Sequence, residues 1–320
     1  GMAAFASAAL GIRPYCSQRA AVPSTSDWAF SMEAAYSCKN SATVSYAFYA
    51  REVQLLRCDL SNTASTGTVS SADFTDADTT VLHYLGFNTT RAPFNNADLR
   101  RAVSLGIDRA GCVSSFLMGH GTVTQLPVNP ASPLYPKSLD TVYSPDSFTS
   151  AVTAAGFGSG SEPVSVTLLV NSENAHKQSA AAKIAAALST SALRVTVEAV
   201  PWSDFVSRLK SGRFDLYYGE YKMTADWDLT DLISTSGANN YGRFNDADFA
   251  ALLTAERSAT GDGHTDASAK LYEAFCRQTP IAPICFARSS ILTTSGAIEG
   301  LTPSLTDPFY NLQDWTIHFS

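Results

Sequence analysis

Charged residues are scarce in this chain: Asp, Glu, Lys and Arg make up 16% of its 320 residues, and acids outnumber bases to leave a formal charge of −7. A surface of that sign repels phosphate backbones, which argues against nucleic acid as a partner. Long apolar runs are missing too, and no stretch approaches the roughly eighteen apolar residues of a transmembrane helix. The opening AAFASAALG lacks the basic segment of a secretory signal, so no export signal is visible, and the leading Gly-Met reads as an expression scar or an internal start.

The six cysteines, Cys16, Cys38, Cys58, Cys112, Cys276 and Cys285, form no CxxC pair and no Cys/His cluster at zinc spacing. They are expected as buried thiols rather than a disulfide framework. Five histidines lie scattered at 83, 120, 176, 264 and 318 without a carboxylate or thiol at ligand spacing. A transition ion needs convergent imidazoles or thiolates, so neither metal nor cofactor is expected. There is no GxSxG, HExxH, Walker A or complete GxGxxG motif, and Gly156-Phe157-Gly158-Ser159-Gly160 reads as a flexible linker. The chain is not expected to be an enzyme.

What is present is apolar bulk. At 45% hydrophobic, the chain can bury one large core or two. Residues 80–109 carry the clearest pattern. Val81 to Phe87 form a nearly continuous apolar run, as in a strand buried on both faces. Asn88 to Ala97 supply turn and N-cap chemistry, and Leu99, Ala102, Val103 and Ile107 recur at helical spacing. Residues 163–200 read as a βαβ unit, because two alternating strands, Val164–Val170 and Leu193–Ala199, flank an Ala-rich helix over Lys177–Ser189. Trp202 opens a further helix with Ser203 as its expected N-cap. Gly212 to Gly219 then turn the chain into an apolar strand.

Phe87, Asn88, Pro93, Phe94, Leu99, Arg100, Ala102, Val103, Ile107, Asp108 and Arg109 occur in an order that resembles the central signature of the family 5 extracellular solute-binding proteins. These are the dipeptide, oligopeptide and nickel receptors of ABC importers. The likeness continues through the Pro-rich segment Gly119–Pro136, through Tyr143–Phe157, and through Trp202–Phe205 followed by Gly212–Leu216. It returns at Ile281–Phe286, which resembles a strand crossing back to the other lobe, and at the closing Phe309–Trp315.

The resemblance implies an α/β, class II periplasmic-binding-protein-like fold of mixed sheets flanked by helices, lacking the family's N-terminal portion. The division it implies is a partial first lobe and hinge entry over 1–90, a second lobe over 91–285, and a return to the first lobe over 286–320.

Glu220–Tyr241 follows the end of a strand, where open α/β sheets bind ligands. It places Tyr221, Trp227 and Tyr241 beside Asp226, Asp228, Asp231, Asn239 and Asn240. Aromatic walls with a few carboxylates and amides suit a small amine-bearing solute. Ala225-Asp226-Trp227 resembles the opening of the family's A-D-Y/W-x-D/E-P motif, whose first Asp pairs with a peptide amino terminus. The motif's Pro is absent here, and Asp228 stands one position early for its second acid. The expected ligand set is Asp226, Trp227, Asp228, Tyr221, Asn240 and Tyr241. Asp226 and Asp228, on the same side of an extended chain, are not separated by sequence, and either could instead cap a helix over Leu229–Ser234.

The resulting expectation is a monomeric substrate-binding component of an ABC importer. It takes a peptide or other small solute by lobe closure and presents it to membrane permease subunits. The location implied is extracytoplasmic, periplasmic or lipid-anchored at the cell surface. The alternatives are a ligand-sensing domain of a transcription regulator and a receptor for nickel or a metal chelate.

Overall fold

The computed structural model describes residues 47–48, 50–58, 72–158, 160, 162–304, 307 and 309–318. The strand expected at Ile12–Cys16 and the helical turn expected at Met32–Lys39 lie outside them, as do Cys16 and Cys38. The described chain forms two compact units, one spanning Thr80–Ala287 and the other made of residues on either side of it.

In chain order, β1 is Leu55–Cys58, β2 is Ala72–Phe87, α1 is Ala97–Leu105, α2 is Arg109–Phe116, β3 is Gly121–Val123 and α3 is Pro145–Ala154. Then come β4 (Val164–Asn171), α4 (Ala175–Leu188), β5 (Leu193–Val200), α5 (Trp202–Ser211) and β6 (Leu216–Lys222). The chain finishes with α6 (Thr230–Ile233), α7 (Ala247–Ser258), α8 (Asp262–Gln278), β7 (Ile281–Thr294), β8 (Ile298–Glu299) and β9 (Thr316–Ile317). The strand order is β1–β7–β2–β6–β4–β5, with β3 against β7. β4 is parallel to both β5 and β6, whereas β2 runs antiparallel to β6, so the sheet is mixed.

The βαβ unit forms with its two strands in parallel register from Val164↔Leu193 to Asn171↔Val200. Its helix buries Ala180, Ala181, Ile184, Ala185 and Leu188. The main core lies wholly within the Thr80–Ala287 unit, where Leu85, Phe87, Leu168, Val170 and Leu216 of the strands pack on Leu99, Val103 and Phe148 of the helices and on Ile107 between α1 and α2. The second unit has its own small cluster, in which Leu55, Ile291, Ile298, Phe309 and Trp315 meet.

The signature residues of 88–109 are structural fasteners. Asn88 donates to the carbonyls of Gly212 and Phe214, both at 3.0 Å. Asn96 caps α1 through the amides of Asp98 and Leu99, and Asp108 caps α2 through Gly111 N at 2.8 Å. The buried Arg100 guanidinium donates to the carbonyls of Gln278 and Thr279 at the end of α8 and to Phe94 O. A cation at a helix C-terminus is favoured by the unpaired carbonyls and the helix dipole. Arg109 likewise donates to Thr124 O, Pro283 O and Ser104 O. Both cations are held by carbonyl oxygens, joined at Arg109 by the Ser104 hydroxyl at 2.8 Å, and burial pulls each pKa down to about 10.

Three local readings differ from the structure. Ser203 is not the cap of α5, because Pro201 takes that position and the carboxylate of Glu173 accepts the Trp202 N–H at 2.8 Å. The pattern of Ala267–Thr279 reads as a helix ending at Pro280, and that helix, α8, begins earlier, at Asp262. β2 begins at Ala72, well before its apolar run, since its first half alternates polar and apolar residues on a half-buried strand. Cys112 and Cys285 are buried free thiols, and burial pushes the Cys112 pKa up to about 11.

Candidate functional site at the end of the central strand

Alternation along β6 puts Tyr217, Gly219 and Tyr221 on one face of the sheet and Tyr218 and Glu220 on the other. The first face is tightly interleaved with β2. Tyr84 stands opposite Gly219 and Tyr217 opposite Gly86 in the antiparallel register. Each glycine leaves the space its partner's ring occupies; a Cβ on either would fall inside that ring. The two tyrosines meet edge to face at 5.7 Å, with their hydroxyls 3.2 Å apart. The Tyr217 ring also meets Tyr241 at 6.2 Å and Phe205 at 6.5 Å, both edge to face.

Beyond β6 the chain enters a loop held by its own polar side chains. Asp231 is its hub, accepting from the Tyr221 hydroxyl at 2.8 Å, from Asn239 Nδ2 at 2.6 Å and from the Ala238 amide at 3.0 Å. The Asn239 bond leads in holding its carboxyl below the ordinary range, with the Tyr221 and Ala238 bonds adding to it. Burial, with the bond to Asp231, pushes the Tyr221 phenol up to about 12. Asn240 donates to the carbonyls of Ser234 and Phe244 and accepts from Phe244 N, so its amide is committed to the loop.

The sequence reading that sets Asp226 and Asp228 on one side of an extended chain does not hold. Trp227 N–H donates to Thr224 O at 3.1 Å, making a turn, and Trp227 itself has a φ of 62°. A left-handed aromatic residue is strained, and its indole is buried against Phe286 with ring centroids 5.4 Å apart. The turn separates the two carboxylates by role. Asp228 accepts the Thr230 N–H at 2.8 Å and the Thr230 hydroxyl at 2.5 Å, and stands 3.6 Å from Arg257 Nη1. It therefore fastens the start of α6. Asp226 is exposed, and the Thr224 hydroxyl, with the Arg257 charge as a smaller cause, holds its carboxyl below the ordinary range.

Of the six residues expected to form the site, Asp226 offers an ionised and exposed carboxylate, while Trp227 anchors the turn that presents it. Tyr221 and Tyr241 sit half-buried on the aromatic face, and Asp228 and Asn240 are spent on the loop's framework. The sequence reading missed Trp202 as a site candidate. It follows directly on β5, at the carboxyl edge of the parallel strands, is 57% exposed, and stacks on Phe205 at 5.6 Å and 21°. Its position just after a parallel strand was the signal that could have marked it. On the opposite face, Lys177 and Glu220 pair at 2.6 Å. Among the described residues no group of three His, Cys, Asp or Glu side chains could hold a metal ion.

The mixed sheet with helices on its faces is a fold shared with solved structures of known proteins. The chain is similar to the oligopeptide-binding protein AppA from Bacillus subtilis in complex with a nonapeptide, with TM-score 0.68 and 19% identity over 88% of this chain and 59% of that one. It is similar to HbpA2 from Haemophilus parasuis with TM-score 0.73 and 20% identity, covering 88% and 57%.

The family model for bacterial extracellular solute-binding proteins, family 5 (middle), matches residues 35–243, and the chain belongs to that family. In sequence it is similar to Heme-binding protein A of Haemophilus influenzae, 27% identical over 59% of this chain and 36% of the relative. It is also similar to oligopeptide-binding protein AppA of Bacillus subtilis, 22% identical over 72% of this chain and 46% of the relative. The chain thus spans less than half the length of these two relatives.

Proposed function

We propose that this chain belongs to the receptor component of an ABC importer for peptides or similar amine-bearing solutes, with Asp226 as the carboxylate that receives the ligand's amine. The observation that carries the reading is the division of labour in the 224–241 loop. Asp228 and Asp231 are half-buried and taken up by hydrogen bonds that brace their own loop, whereas Asp226, although it too is bonded by Thr224, stays exposed on the turn around Trp227 with its carboxyl held below the ordinary range. Trp202, Tyr221 and Tyr241 supply aromatic surface for the solute's side chains. The receptor holds its solute without reacting with it and hands it to permease subunits on the extracytoplasmic side of the membrane. A ligand favours whichever conformation it binds better, so its differential affinity drives any closure.

The test is a binding titration of this chain with mixed di- to hexapeptides, with hemin and nickel as separate arms because relatives and solved neighbours carry those names. In the Asp226→Ala variant, loss of a charge-assisted hydrogen bond worth roughly 1.5–3 kcal/mol lowers peptide affinity about tenfold to a hundredfold. Equal peptide affinity in wild type and variant refutes the role of Asp226. Binding of hemin alone moves the ligand class away from peptides.

A further inference from the structure

Behind the turn that presents Asp226, α6 and the segment after it face α7 across an open cavity of about 410 Å³. That volume lies within the roughly 300–1,000 Å³ of small-molecule sites. Its floor is apolar, formed by the buried Leu253, and its walls are hydroxylated by Ser234, Thr235, Ser236, Thr254 and Ser258. The only charged side chain in the lining is Arg257. The cavity is separate from the aromatic face of β6, whose residues do not contribute to it.

The state of each polar group defines what would fit. Arg257 uses Nη1 alone, toward the Thr230 hydroxyl at 3.0 Å and Asp228 at 3.6 Å. Its Nε–Nη2 edge, the side of a guanidinium that grips a carboxylate with two parallel bonds, makes no hydrogen bond among the described residues. Thr254 and Ser258 donate their hydroxyl protons back to the α7 carbonyls of Ala250 and Thr254, both at 2.9 Å. Their oxygens thus face the cavity as acceptors. Ser234 and Ser236 share one hydrogen bond at 3.2 Å, and Thr235 has no hydrogen-bond partner among the described residues. The lining therefore offers one carboxylate fork, an arc of hydroxyl acceptors with a few donors, and a small apolar floor.

We infer that this cavity is a second ligand site, which takes a small hydroxylated carboxylate of the sugar-acid type. The carboxylate lies along the Nε–Nη2 edge of Arg257, and the ligand hydroxyls donate to Thr254 and Ser258 and accept from Thr235. The inference does not depend on the peptide reading. It bears on it, since Arg257 also holds Asp228, which fastens the loop carrying Asp226, and a ligand that re-aims the guanidinium loosens that hold.

Calorimetric titration of the 320-residue chain with gluconate, glucitol, acetate and inorganic phosphate tests the site. Gluconate is expected to bind about tenfold or more tightly than glucitol, which lacks the carboxylate, or acetate, which lacks the hydroxyls. Arg257→Gln and Thr254→Leu should each weaken gluconate binding about tenfold or more, and Thr254→Leu, on an exposed helical position, should leave peptide binding intact. No gluconate binding, equal binding of glucitol, undiminished binding in both variants, or phosphate binding as tightly as gluconate each overturns the inference. Loss of peptide binding with gluconate binding retained overturns only the peptide reading.

Discussion

Asp231 shows at the scale of one residue why a polar loop beside an aromatic sheet face is hard to read. Its type and position suit a ligand, yet its two oxygens already take three donors, from Tyr221, Asn239 and Ala238. Short polar side chains in a tight loop find their own backbone before anything else, which is also the fate of Asp228 and Asn240. The arrangement has a pH signature. Because the folded carboxyl sits below its usual value of 3.8, its contribution to stability is complete above that value and is lost as pH falls through the lower folded value. Asp231→Asn turns an amide donor toward a hydrogen that needs an acceptor. It should cost about 1 kcal/mol at pH 7, the low end for partly solvated bonds. Urea unfolding at pH 7 and at about pH 3 checks the sign, because the gap between wild type and variant should narrow at the lower pH. A gap that stays constant or widens removes Asp231 as the hub.

Particular residues show how far the sequence was legible at this scale. Asn96 lies in the stretch read as turn and N-cap chemistry, because capping depends on local spacing alone, and it accepts the Leu99 amide three positions on; Asp108 and Asp246 cap their helices in the same way, although the sequence reading does not mark them as caps. The role of Arg100 could not be read that way, since two of its three carbonyl partners lie 178 and 179 positions away. Asp226 and Asp228 could not be separated because the left-handed turn at Trp227 leaves no mark in composition.

At the scale of elements, the exchange between β2 and β6 is the feature on which the aromatic face rests. Two glycines and two tyrosines are placed in antiparallel register so that each ring fills the space over the other strand's glycine. Periodicity exposed both strands, but not this pairing, because register depends on which strands become neighbours. A methyl group at Gly86 must displace the Tyr217 ring, and one at Gly219 must displace Tyr84. Overpacking of this kind costs roughly 1–3 kcal/mol. Gly86→Ala is therefore expected to lower the unfolding free energy by that amount, read as a fall in the denaturant midpoint, and, because Tyr217 contacts both Phe205 and Tyr241, to weaken the peptide binding proposed above. A Gly86→Ala variant with wild-type stability would show that the rings are free to move aside. Gly212, by contrast, ends α5 in the left-handed region at φ 70°, a local role visible from its place after a helical run.

At the scale of the whole molecule, Thr80–Ala287 is continuous in sequence, and every residue of the main core falls inside it, from Leu85 to Cys285. It contains the helix caps, the Arg100 and Arg109 clamps, the 224–241 loop and the hydroxylated cavity. Around two hundred residues is ample for one hydrophobic core. The piece excised at Thr80 and Ala287 is thus expected to fold by itself, because neither its core nor its buried cations draw on residues outside it. It should unfold in one cooperative transition, with the sharp near-ultraviolet dichroism of fixed aromatic rings arising from the Tyr84–Tyr217 and Trp227–Phe286 pairs. The termini cut through β2 and β7, so some fraying there and a modest fall in midpoint are expected, since strand ends open more readily than the centre. Retained helix with no near-ultraviolet signal and strong dye binding would be the mark of a loosely packed state. That outcome would mean that the core, although built only from residues of this piece, needs the rest of the chain to set its packing.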